Sequence, residues 1–221
     1  MAKTILICGK TGTGKTSSIR TLDPKETIIL RVIKRTLPFK YVGLYEEGKN
    51  LLYTPSYEDV LKYIDLVDKQ GQRFKNLVIT DGTYIMRQEF FKRTKEVGYG
   101  KFSDMGVHMQ QILRRIQEAR DDLKVFMEFH AELDDVSSSY KAATIGKLVD
   151  EKYNVFENID IILFASPIYE DKKSQYGFYT NHTLDRAGIE VPAKSPLGMF
   201  DELFIPNDLA FVSKKIDEYY G

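Results

Sequence analysis

Cysteine is nearly missing from this sequence: Cys8 stands alone among 221 residues. A single cysteine excludes an intrachain disulfide and suits a reducing cytoplasm. Histidine is scarce too, three in all, far apart from one another and from Cys8, so no zinc-ligand spacing exists. No apolar run approaches the roughly 18 residues that a membrane span needs, and the N-terminus lacks a signal-peptide pattern. A cytoplasmic protein with no membrane partner is therefore expected. Net charge is absent as well, since 32 Lys+Arg balance 32 Asp+Glu. That excludes a globally basic nucleic-acid coat and leaves only a local patch for any DNA contact. What remains, 43% hydrophobic and 29% charged residues, is the composition of a soluble globular protein. The length suits one domain over residues 1–221, with a core that needs neither disulfide nor structural metal.

Apolar runs alternate with helical periodicity along the chain, which predicts an α/β fold with a mostly parallel sheet flanked by helices. Strands are expected at residues 4–8, 27–32, 50–54, 77–80, 125–129 and 159–165, with an edge strand or hairpin arm at 176–182. Helices are expected at 57–70, 83–96, 104–120 and 209–220. Asp104 is expected near the N-terminus of its helix, whose apolar stripe is Met105, Met109, Ile112, Leu113 and Ile116.

Gly9-Lys10-Thr11-Gly12-Thr13-Gly14-Lys15-Thr16 fits G-x-x-x-x-G-K-[ST] directly after the first strand. Glycines let the backbone curl so that successive N–H groups face phosphate oxygens, and a helix beginning near Lys15 adds its positive end. Lys15 then reaches the β/γ-phosphates, and the Thr16 hydroxyl is placed to ligate Mg²⁺. The expected phosphate-binding set is Gly9, Lys10, Thr11, Gly12, Thr13, Gly14, Lys15, Thr16 and the following Ser17, with ATP and Mg²⁺ as ligands. Asp81 ends the apolar run Leu77-Val78-Ile79-Thr80, as a carboxylate serving the Mg²⁺ water shell would. Some 60 residues separate Thr16 from Asp81, with room for two strands. That spacing, and the lack of an Arg-rich lid segment, favours an ATPase over a nucleotide kinase.

With these motifs the sequence resembles the phage-encoded RecA-like core-only ATPases linked to single-strand annealing and recombination. The resemblance covers nearly the whole chain. It is carried by the P-loop, L-V-I-T-D-G at 77–82, E-F-H-A-E at 128–132, T-I-G-K-L-V-D-E-K at 144–152, A-K-S-P-L-G-M-F at 193–200 and I-P-N-D-L at 205–209. It implies a RecA ATPase core without the N-terminal polymerisation segment and C-terminal domain, with a P-loop starting at Gly9. It further implies that His130 senses the γ-phosphate, and that Lys194 reaches a nucleotide across a subunit interface in a homo-oligomer. Single-stranded DNA, and a single-strand-binding protein, are the implied partners. RecA-like ATPases usually carry a water-orienting glutamate at the end of a strand between the two motifs; Glu58, with Asp59 beside it, is the candidate here. Glu128 shares a strand face with His130; as a charge on a buried strand it needs a partner, and it is the alternative candidate for that glutamate. Gly82 follows Asp81, so the adjacent Asp-Glu pair of AAA-type enzymes is absent.

The resemblance further implies two DNA-facing loops, one after each of the strands expected to end at Asp81 and His130. The first region offers Lys92, Arg93, Lys95, Tyr99, Lys101 and Phe102 as phosphate-neutralising cations and stacking faces. The second, residues 133–140, carries Asp134, Asp135 and three serines and is not basic. Two other functions fit the same motifs: a small-molecule or nucleoside phosphotransferase, and a nucleotide-switched binding module without turnover.

Overall fold

The computed structural model describes residues 1–134, 137–145, 157–170 and 173–221. The strands are β1 (Lys3–Gly9), β2 (Thr27–Arg31), β3 (Leu51–Tyr53), β4 (Asn76–Thr80), β5 (Lys124–Asp134), β6 (Ser139–Ala142), β7 (Ile161–Glu170), β8 (Lys173–Tyr179), β9 (Thr183–Leu184), β10 (Glu190–Val191) and β11 (Phe204–Pro206). The helices are α1 (Tyr57–Lys69), α2 (Thr83–Lys92), α3 (Gly100–Gln117) and α4 (Leu209–Tyr220). The main sheet runs β11-β8-β7-β1-β5-β4-β2-β3. From β7 to β3 every pairing is parallel, while β8 and β11 close the other side in antiparallel fashion.

Alternation decides which face each side chain takes. Leu6 and Cys8 of β1 join the core beneath α1, α2 and α3, with Val60, Ile64, Met105, Met109 and Ile112. Ile5 and Ile7 join the opposite core, with Ile19 and the α4 residues Leu209, Val212 and Ile216. A parallel sheet covered on both faces needs strands that are apolar throughout, and β1, β2 and β4 have that character. Burial also pushes the Cys8 thiol up to about 12, which keeps it an inert apolar filler.

Several expectations are corrected here. The two strands between the P-loop and Asp81 in sequence, β2 and β3, lie outside β4; the strand inserted between β1 and β4 is β5. The segment after the P-loop is a six-residue 3₁₀ turn, Thr16–Thr21, not a regular α-helix. Its Ser18 and Thr21 hydroxyls bond backbone carbonyls within the turn, and Pro24 lies just beyond it. α3 begins at Gly100, so Asp104 lies inside the helix, where it accepts from Arg93 at 2.6 Å. β5 runs on past His130, and its continuation pairs with β6, so the second expected loop is largely a hairpin; Asp135 lies outside the described residues. β8 is a hairpin arm covered by β11 and not a sheet edge. Of the 144–152 block, only Thr144 and Ile145 fall within the described residues.

Candidate functional site

The loop after β1 curls through two glycines at positive φ, Gly12 at 81° and Gly14 at 87°, where a Cβ would be strained. Gly9 is required for space instead: a Cβ there would lie 2.6 Å from the Ala165 carbonyl. Lys15 folds its ammonium back into the loop, donating to the carbonyls of Gly9 at 2.7 Å and Lys10 at 2.8 Å. Burial holds its pKa below the usual lysine value, opposed by the attraction of Glu128. Thr13 also donates to the Lys10 carbonyl. The Lys10 side chain turns away and lies 4.8 Å above the Tyr140 ring, so this residue serves the loop through its backbone.

A cavity of about 550 Å³ opens at this loop, a volume suited to a small-molecule ligand. Thr11, Gly12, Thr13, Gly14, Lys15, Thr16 and Ser17 line it, and so do Asp81, Glu128 and His130. The sheet order explains the convergence, because β1, β5 and β4 are neighbours and all end at the same side. Asp81 itself takes the positive φ of 56°, a conformation that a short polar side chain tolerates better than most. His130 Nε2 lies 3.8 Å from Asp81 Oδ1, and its backbone N–H donates to Thr83 Oγ1.

Glu128, the second candidate after Glu58 in the sequence, is the carboxylate that meets the P-loop. Thr16 Oγ1 donates to its Oε2 at 2.7 Å, joining β5 to the P-loop hydroxyl. The other oxygen, Oε1, is buried without a partner among the described residues. Burial pushes this carboxyl up to about 7, against the pull of Thr16 and Lys15. The alternation E-F-H at 128–130, which places Glu128 and His130 on one face, was the available signal.

The same packing explains the missing Asp-Glu pair. Gly82 donates its N–H to the Glu128 carbonyl, and a Cβ on it would lie 2.8 Å from the Phe129 ring. No side chain fits at 82, so the second carboxylate comes from the neighbouring strand.

A further support comes from the I-P-N-D-L block. Asn207 Nδ2 donates to the Gly14 carbonyl, and its Oδ1 accepts from Arg20. Asp208 caps α4 by accepting from the Phe211 N–H. Tyr176 of β8 lies against Gly14 and lines the cavity on this side. Asn207→Ala should leave the Gly14 carbonyl with the longer bond from the Ser18 N–H at 3.2 Å and lower stability by about 1 kcal/mol, read as a shift in chemical denaturation. An unchanged transition would show that the side chain does not brace the loop.

Two expected site residues lie elsewhere. Glu58 bonds Ser56 and lines a separate cleft with Tyr57, Glu89, Lys92, Arg93 and His108. It cannot orient water at the P-loop, because it follows β3, at the far end of the sheet from β1. Lys194 is exposed and pairs through its backbone with Ile162, so it does not line its own chain's cavity.

The AAA domain family model (AAA_24) matches residues 1–188. The chain belongs to the AAA domain family. For this AAA domain the P-loop, the Asp81 strand and the inserted strand that carries Glu128 and His130 are thus features of an ATPase fold. Among solved structures, a KaiC-like protein from the hyperthermophilic archaeon Pyrococcus horikoshii OT3 is similar at 14% identity and a TM-score of 0.45. The similarity covers 80% of this chain and 76% of that one. No curated protein matches this chain.

The residues present fit a magnesium–nucleotide complex. Among the described residues no group of three or more His, Cys, Asp and Glu could hold a metal alone. Thr16, Glu128 and Asp81 instead leave coordination positions for phosphate oxygens and water, as Mg²⁺ prefers. The unpartnered Oε1 of Glu128 marks where a cation, directly or through water, is wanted. No described helix is long and apolar enough to cross a membrane.

Proposed function

We propose that this protein hydrolyses Mg·ATP and couples that turnover to single-stranded DNA in phage recombination or replication. The observation that carries the ATPase reading is the convergence of Lys15, Thr16, Asp81, Glu128 and His130 on one cavity. The loop N–H groups and Lys15 bind the phosphates, Lys15 exchanging its two carbonyl acceptors for phosphate oxygens. Mg²⁺, when bound at Thr16 with Glu128 and Asp81 around it, neutralises phosphate charge. His130 faces the terminal phosphate from β5, level with Gly9 at the end of β1. A water oxygen bonds to the γ-phosphorus, the bond to the β-phosphate oxygen breaks, and ADP leaves with the electron pair. Both protons of the water leave with inorganic phosphate as H₂PO₄⁻, which then gives up a proton to solvent as its own acidity dictates.

The DNA reading rests on the family resemblance and on the turn between α2 and α3. There Phe91 and Tyr99 are exposed, beside exposed Lys92 and Lys95, which suits base stacking and phosphate neutralisation. The rest of the expected patch serves the fold instead. Arg93 is ringed by Glu89, Glu96 and Asp104, Lys101 donates to the Glu96 carbonyl, and Phe102 packs near Phe90. The same reading makes the exposed Lys194–Leu197 segment part of a subunit interface in a homo-oligomer.

The test is phosphate release from Mg·ATP with and without single-stranded DNA, at low salt and then through a salt titration. DNA should raise turnover, and rising salt should remove the gain. Turnover indifferent to DNA at every salt would point to a phosphotransferase. Nucleotide binding without turnover would point to a switch.

A further inference from the structure

We propose that Arg35 is an in-cis catalytic cation for the γ-phosphate; this inference rests on the ATPase reading above. Arg35 follows β2 and lines the same cavity as Lys15 and Thr16. The sheet order gives that cavity two chemically different ends. On the β7–β8 side of the P-loop stand Tyr176, Asn207 and Arg20, an aromatic face beside neutral and cationic donors. On the β5–β4–β2 side stand Glu128, His130, Asp81 and Arg35. A nucleotide lying along the loop therefore presents its terminal phosphate to the charged end and its base to the Tyr176 end. Arg35 is the guanidinium at the charged end.

Its placement is built from below. Arg31 is 4% exposed and is gripped by both Glu47 carboxylate oxygens, at 2.5 and 2.7 Å. A second donor of the Arg31 guanidinium reaches the Arg35 carbonyl at 2.7 Å. This pins the backbone of an otherwise irregular segment at the residue whose side chain enters the cavity. The Arg35 head then lies 5.6 Å over the Tyr84 ring, and the edge-on ring of His130 is 5.8 Å from the same ring. Tyr84 thus contacts both the guanidinium and the imidazole, with the Arg87 guanidinium 5.2 Å over the same ring, and Asp81 Oδ1 lies 3.7 Å from Arg35 and 3.8 Å from His130.

The head itself remains available. Among the described residues its one ion pair is to Asp81 at 3.7 Å, and its side chain is 55% exposed. A pair that long and that exposed holds little, so the fork can leave Asp81 for a phosphate oxygen. Five fixed donors match a phosphoryl group as negative charge spreads over its equatorial oxygens. The role expected of Lys194 from a neighbouring subunit is then supplied within the chain.

The test compares wild type with Arg35→Ala and Arg35→Lys, using Lys15→Ala as control. Equilibrium binding in Mg²⁺ is measured for fluorescent ADP and for a fluorescent, slowly hydrolysed ATP analogue; phosphate release gives kcat. Arg35→Ala should leave ADP affinity unchanged while analogue affinity and kcat each fall about 10- to 100-fold. Arg35→Lys should recover only part of both, because an ammonium keeps the charge without the fork. The half-exposed side chain can be removed without disturbing the core, and unchanged ADP binding reports that the variant is folded. Equal losses for ADP and the analogue, or no loss for either, overturn the inference. Wild type that binds no nucleotide sinks the proposed function and this inference together. Wild type that hydrolyses ATP beside an unimpaired Arg35→Ala sinks this inference alone.

Discussion

Lys15→Ala is expected to abolish phosphate release, lowering turnover by at least about 10³-fold, and to weaken nucleotide binding with it. The reason lies in where the ammonium sits. It is buried in the loop, bonded to the Gly9 and Lys10 carbonyls, and attracted by Glu128. Those carbonyls are weak acceptors beside a triphosphate, so the ammonium is already at its working position and loses little in transferring. Alanine removes the only side-chain charge the P-loop itself points inward. Lys15→Arg is a useful second variant, since a planar fork does not fit a slot shaped for a point charge and should also lose most turnover. Near-UV circular dichroism would confirm that either variant is folded. Phosphate release at the wild-type rate from a folded Lys15→Ala protein would end the ATPase reading.

Glu128→Gln separates a structural carboxylate from a working one. The amide has the same shape, can still accept from Thr16, and no longer buries a charge. Stability should therefore hold or rise, read as the thermal midpoint. Function should not hold. Loss of the carboxylate beside the P-loop hydroxyl should raise the Mg²⁺ needed for half-maximal turnover at least tenfold and cut turnover by about 100-fold. Binding of ADP without Mg²⁺ should change little, because that state uses the loop N–H groups and Lys15. A Mg²⁺ titration identical to wild type would make Glu128 a packing residue only. Asp81→Asn provides the comparison: if the two carboxylates divide the work of an adjacent Asp-Glu pair, both variants shift the Mg²⁺ curve.

Much of this site was legible along the chain because its parts are contiguous. The glycine spacing from Gly9 to Thr16 dictates a phosphate-binding loop wherever a strand precedes it, and Leu77–Asp81 announces a buried strand ending in a carboxylate. The apolar runs determined the parallel sheet, and the α1 and α4 periodicities located two helices almost to the residue. Local pattern also misled. Glu58 follows a strand between the two motifs, as a water-orienting glutamate does, but that strand lies at the sheet's far side. Arg93 and Lys101 read as free cations although Glu89 lies one turn before Arg93; the folded chain adds Asp104 from the neighbouring helix and the Glu96 carbonyl from the turn.

Strand order is what the linear chain could not state. Placing β5 between β1 and β4 brings Glu128 to Thr16 across 112 positions, and Asn207 reaches Gly14 across 193. It also sets Phe129 against Gly82, which forbids a side chain there and moves the second carboxylate one strand over. Sequence determined the loop, the fold class and the nucleotide chemistry, because these follow from backbone freedom and apolar periodicity within short windows. Tertiary structure alone decided which carboxylates and cations share the cavity at the P-loop, because that depends on which strands become neighbours.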